Sequence, residues 1–103
     1  MHYYDLKGFE GIYQISKLGR IRNSEKVNMK FFKSKDGYLR VTLFNDGKQS
    51  NHYIHLLMAK QFLTKSQGHV QVDHISRVRT DNRLVNLRWV TLQEQNDNRI
   101  LNN

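Results

Sequence analysis

Cysteine is absent from the 103 residues, so the chain can form no disulfide and can hold no zinc through thiolates. Proline is absent too, which leaves the turns to Gly, Asn and Asp. No apolar run approaches the roughly 20 residues that carry a helix across a bilayer. Met1-His2-Tyr3-Tyr4-Asp5 does not open as a signal peptide. A soluble, cytoplasmic protein without a membrane partner is therefore expected. Acidic residues are scarce, 9 against 17 Lys and Arg, for a net charge of +8. Such a surplus favours a polyanion partner, nucleic acid in particular. Apolar residues make up only 38%, so the core is modest. The length supports one compact domain or two very small ones, stabilised by tight packing or by a partner.

The charge is unevenly spread. Residues 1–68 hold 12 Lys and Arg against 5 Asp and Glu, and residues 69–103 hold 5 against 4. The basic field lies mostly in the first two thirds. There the pattern is that of strands. Alternation over residues 12–15, punctuation at Ser16-Lys17-Leu18-Gly19, and Ile21 beyond predict a strand, a tight turn and a second strand. Residues 28–33 are a weaker strand candidate. Tyr38 to Phe44 is β-branched and aromatic, with Leu39, Val41 and Leu43 on one face. Asp46-Gly47 then signals a hairpin, with the return strand over 49–54.

From Ile54 the apolar period changes. Ile54, Leu57, Met58 and Phe62 fall at helical spacing, which predicts a helix over 54–64, ended by Ser66-Gln67-Gly68. Val70 to His74 reads as a short strand, residues 76–85 as a polar, Arg-rich loop, and Asn86 to Val90 as a second short strand. Thr91-Leu92-Gln93-Glu94 has the form of a capping box, so a helix is expected from there towards Leu101. The fold class expected is α+β: an N-terminal antiparallel β region over 1–53, then a helix and a strand–loop–strand–helix unit over 54–103.

Chemistry concentrates in the second region. Asp73 stands beside His74, Asn86 follows His74 by twelve residues, and amide side chains at Gln95 and Asn96 lie about nine further on. These types suit phosphodiester hydrolysis with one metal ion. A neutral imidazole, with an ordinary pKa near about 6.5, is a suitable base at neutral pH, so His74 is the expected general base. Asp73 would hold a hard divalent ion, Mg²⁺ or Mn²⁺, through oxygen. Neighbours on a strand point to opposite sides, so the two need a strand end to act together. The second metal ligand should come from the last helix.

Val72-Asp73-His74-Ile75 with Asn86-Leu87-Arg88-Trp89-Val90-Thr91 resembles the HNH endonuclease family of ββα-metal type. Gly8-Phe9-Glu10-Gly11-Ile12-Tyr13-Gln14-Ile15-Ser16 with Gly19-Arg20-Ile21 looks like the NUMOD4-like β motif of phage and intron-borne homing endonucleases. Lys35-Asp36-Gly37-Tyr38, Gly47-Lys48 and Ile54-His55-Leu56-Leu57 continue the likeness over nearly the whole chain. The resemblance implies a metal-dependent DNA endonuclease that acts on double-stranded DNA, as monomer or homodimer, in a bacterial or phage-infected cell. It implies that the Asn86 amide pins the loop that aims His74. The family's helix ligand, usually Asn, falls on Gln95 by ungapped count, with Asn96 beside it. Ser76-Arg77-Val78 stands where many relatives have Asp-Gly-Asn, and Leu56 replaces an Arg. His55 is expected to be buried or to act behind the site. DNA contacts are expected from Arg20, Arg22, Lys33, Lys35 and Arg40 in the sheet half, and from Arg77, Arg79, Arg83 and Arg88 around the motif. Two other readings stay open: a weak or inactive DNA-binding module on this scaffold, motivated by Gln95, and a basic RNA-associated protein, motivated by charge alone.

Overall fold

Short alternating segments punctuated by glycine build three small antiparallel sheets in the computed structural model, which describes residues 1–65, 67–91 and 93. The first sheet joins β1 (Tyr3–Asp5), β2 (Tyr13–Ser16) and β3 (Ile21–Asn23) in that order. Tyr13 and Ile15 point inward and are buried, as the period of two demands. The β2–β3 turn needs Gly19, whose φ is +82°. β1 was not expected from sequence; it pairs Tyr4 with Ile15.

The second sheet joins β4 (Phe32–Lys33), β5 (Leu39–Asn45) and β6 (Lys48–Tyr53). Its long hairpin turns at Asp46 and Gly47, with φ of 54° and 76°. Two consecutive positive φ values match the right-handed twist of the flanking strands, so the Asp-Gly signal and the structure agree. Val41 and Leu43 are fully buried, and Leu39 is half-buried. The candidate strand over 28–33 shrinks to Phe32–Lys33, plus a bridge from Asn28 to Arg22. Met29 and Phe31 pack against the core instead of alternating across a sheet.

β6 runs straight into α1 (Ile54–Phe62), shorter at its C-terminal end than the expected 54–64. Ile54, His55, Met58 and Ala59 form its buried stripe. The third sheet is β7 (Gln71–His74) against β8 (Leu87–Val90), with Asp73 opposite Arg88 and His74 opposite Leu87. A loop of residues 75–86 joins them and closes with a 3₁₀ turn at Leu84–Asn86. The helix expected after Thr91 lies outside the described residues. Among those described, no helix is long and apolar enough to cross a membrane.

One apolar cluster unites the three sheets. It contains Leu6, Tyr13, Ile15, Ile21, Val41, Leu43, Ile54, Met58 and Leu87. Residues from both sides of position 54 therefore share one core. α1 packs against β5 and β6 and also against β7 and β8. That placement sets the first turn of α1 beside the end of β7, and the site lies there.

Candidate active site

Burying a polar side chain costs free energy unless it finds a partner. Asp73, His74, Asn82, Asn86 and His55 are nonetheless all buried, at 5–7% exposure. They gather at the end of β7 and under the 75–86 loop. Asp73 and His74 both line an open groove of about 610 Å³, with Tyr38, Tyr53, His55, Arg77 and Arg79 among its other walls. The neighbours on β7 thus reach one groove at the strand's end.

His74 is held through one nitrogen. Its Nε2 lies 2.8 Å from Asn82 Oδ1. An amide oxygen only accepts, so with the amide in this orientation the neutral ring carries its proton on Nε2 and keeps the lone pair on Nδ1. Asn82 is a site residue that the sequence reading assigned no role. The only local signal was its place in a polar loop eight residues after His74.

Asn86 fastens that loop at two points. Its Oδ1 accepts from the Ser76 backbone N–H at 2.9 Å, and its Nδ2 donates to the Asp81 carbonyl at 2.9 Å. The Ile75 N–H also donates to the Asn86 carbonyl at 2.8 Å. The loop thus closes on itself, with a positive φ of 69° at Arg77.

Asp73 faces a cation. Its Oδ2 accepts from Arg88 Nε at 3.2 Å and Nη2 at 3.1 Å. The Arg88 side chain is 45% exposed and the Asp73 side chain 8%, so the guanidinium can withdraw into water while the carboxylate stays. A carboxylate oxygen at a groove wall suits a hard divalent ion as one ligand. Among the described residues, no three His, Cys, Asp or Glu side chains are grouped to hold a metal. Gln95 and Asn96 lie outside the described residues.

Rings make up much of the groove wall. The Tyr38 ring centroid is 4.7 Å from that of His55 and 5.6 Å from that of His74, and the two imidazoles are 5.0 Å apart. Burial first, and the charge of His74 second, push His55 down from 6.5 to about 4, against the pull of Asp36. His55 is therefore neutral at physiological pH. Hydrogen bonds from Ser34 and Tyr53 hold Asp36 at about 2. His52, in contrast, sits on β6 with its Nε2 2.7 Å from Ser50 Oγ.

The cations expected at DNA divide by what they touch. Arg77 and Arg79 line the groove. Arg79 Nη1 donates to the Asp36 carbonyl, and its guanidinium lies 5.0 Å from the Tyr38 ring centroid. Arg83 is clamped on Asp81 through Nε and Nη2, both at 2.8 Å. Arg22 donates to Gln14 and stacks over Tyr3, and Arg40 lies over Phe32 and Tyr53. Arg20, Lys33 and Lys35 are exposed and outside the groove lining.

Comparison with known proteins converges on one family. The HNH endonuclease family matches residues 52–102, and the NUMOD4 motif matches residues 1–44. DNA endonuclease I-HmuI of Bacillus phage SP01 is 37% identical over 92 residues, covering 88% of this chain and 53% of that protein. An uncharacterized HNH endonuclease of Acanthamoeba polyphaga mimivirus is 27% identical over 90 residues, covering 87% of this chain and 27% of that protein. A solved structure of the HNH homing endonuclease I-HmuI, described as showing DNA binding and cleavage, superposes with a TM-score of 0.89 at 36% identity, over 99% of this chain and 59% of that one. The chain thus spans about half the length of the phage enzyme it matches.

Proposed function

The chain belongs to the HNH endonuclease family, and from that premise we propose that it hydrolyses phosphodiester bonds in double-stranded DNA with one divalent ion, Mg²⁺ or Mn²⁺. The observation that carries the proposal is His74, buried at the groove and partnered through Nε2. With that nitrogen protonated, Nδ1 is the atom that takes the proton from an attacking water. Asp73 would be one ligand for the metal, with Gln95 or Asn96 the candidate for the next. When bound, the ion would offset charge on the phosphoryl oxygens and on the leaving oxygen. Arg88, 45% exposed, would release Asp73 to water when the carboxylate holds the ion. Asn86 keeps the loop closed so that His74 stays aimed. Arg77 and Arg79 are placed to bind phosphates beside the scissile bond, while the exposed Arg20, Lys33 and Lys35 extend the basic field along the sheets.

One metal site per chain cuts one strand. A monomer should nick, and a homodimer would be needed to cut both strands. Supercoiled plasmid with Mg²⁺ or Mn²⁺ tests the proposal: the parent chain should convert it to open circles, and His74→Ala should not. Equal nicking by the two proteins, or none by the parent, refutes it. A second reading rests on the Arg88–Asp73 ion pair together with Gln at position 95: a scaffold that binds DNA without cutting it. Tight duplex binding by a parent chain that never nicks, with either ion, would favour that reading.

A further inference from the structure

We propose that Asn82 is the positioning residue of His74, and that the β2–β3 turn of the N-terminal sheet fixes Asn82. The inference deepens the reading of His74 as general base and rests on it. Asn82 is 5% exposed, and its Oδ1 meets His74 Nε2 at 2.8 Å. Among the described residues, its Nδ2 is buried with no hydrogen-bond partner. An unmatched buried donor is costly, and the amide is held in spite of it. Its identity follows from what its oxygen accepts.

What holds Asn82 comes from the far end of the sequence. Gly19, in the β2–β3 turn, lies flat against its backbone. A Cβ built on Gly19 would stand 2.9 Å from the Asn82 carbonyl oxygen, 3.2 Å from its carbonyl carbon and 3.3 Å from its Cβ. Two residues on, the Leu84 N–H donates to the Lys17 carbonyl at 2.8 Å. On the other side, Asn86 ties down Ser76 and Asp81. Asn82 is therefore clamped between its own loop and the N-terminal turn. The chain of contacts is Gly19 to Asn82 to His74, and it links the sheet of the NUMOD4 motif to the base without involving DNA. The hydrogen bond at one imidazole nitrogen decides which of the two bears the proton. The N-terminal sheet thereby selects the tautomer in which Nδ1 is free to act.

The test is the imidazole ¹H–¹⁵N spectrum of the metal-free protein, which reads the proton directly whether or not the chain cuts DNA. The parent should show a protected N–H on Nε2 of His74. Asn82→Ala should lose that signal to exchange with water, and Asn82→Asp, whose carboxylate also accepts, should keep it. Gly19→Ala should weaken it without altering either partner. Gly47→Ala is the control. It has a comparable positive φ of 76°, but nothing lies within 4 Å of its would-be Cβ, so the signal should stay. On plasmid, Asn82→Ala should lower kcat by about 10–100-fold with little change in KM, by analogy with residues that orient metal-bound histidines. A parent His74 protonated on Nδ1, or an Nε2–H signal that survives Asn82→Ala, overturns the proposal. The base reading fails separately, if His74→Ala nicks like the parent while the Nε2–H signal of the parent depends on Asn82.

Discussion

Acidification from about pH 7 to about pH 5 should destabilise this protein through His55, and the size of the effect follows from its burial. His55 stands in the first turn of α1, 7% exposed, and is pushed down from 6.5 to about 4. Its pKa in the folded chain is therefore below its ordinary value. As pH falls, the unfolded chain takes up the proton first. The stability is complete above about 6.5 and is lost progressively down to about 4. Proton linkage between those two values gives about 2 kcal/mol lost by about pH 5. Water in the open groove screens part of this, so about 1–2 kcal/mol is expected. The assay is urea unfolding of the parent and of His55→Phe at both pH values. Phe retains a ring of similar volume and cannot titrate. Packing changes enter both pH values equally, and the histidines other than His74 enter both proteins equally. The difference of differences isolates His55 together with its coupling to His74. If His55→Phe loses as much stability on acidification as the parent, the buried, neutral imidazole is wrong.

Four further outcomes follow from the same structure. Asn86→Ala removes two hydrogen bonds and strands their partners, so it should cost about 2–4 kcal/mol in urea unfolding and raise amide exchange at Ser76; a neutral result would mean the loop is held elsewhere. Met58→Ala empties a fully buried position of the shared core and should cost about 2–5 kcal/mol. Asp81 is held at about 2 by the hydrogen bonds from Arg83, so its contribution is present above 3.8 and lost as pH falls through about 2; Asp81→Asn should flatten that acid limb of the stability curve. Duplex binding should weaken with salt, and the double substitution Arg77→Gln, Arg79→Gln should lower the slope of log affinity against log salt by about 1.8, near 0.9 for each phosphate contact; an unchanged slope would place those arginines off the DNA.

Where local chemistry decides an element, the sequence was readable. Asp46-Gly47 specified the β5–β6 turn because both residues accept positive φ. The switch in period at Ile54 marked α1 because the stripe Ile54, Met58, Ala59 faces the core. β7 and β8 were found within a residue or so of their ends, and with them the neighbourhood of Asp73, His74 and Asn86. What could not be read depends on contacts between distant parts of the chain. β1 has three residues and exists because β2 offers it an edge. Residues 28–31 have a strand-like composition, but Met29 and Phe31 are drawn to the core. Asn82 looked like any polar loop residue, because its partners are a ring eight positions earlier and a turn more than sixty positions away. His55 was expected to be buried or to act behind the site from the family resemblance, and it is 7% exposed. Its place on the groove wall depends on Tyr38, which arrives from another sheet.

The core cluster that crosses position 54 also bears on how such proteins can be assembled from parts. β6 and α1 meet without a linker, and Ile54, Met58 and Leu87 sit among Leu6, Ile15 and Leu43. A recombination event that cut between residues 53 and 54 would divide this cluster and leave apolar surface open on both products. An N-terminal sheet borrowed from another family member would need the same bumps and hollows on its inner face, and the same glycine against the loop at Asn82. Inheritance of the first sheet and of β7 and β8 is thereby tied together: a shuffled copy must mend both the interior and the turn before the groove at His74 takes shape.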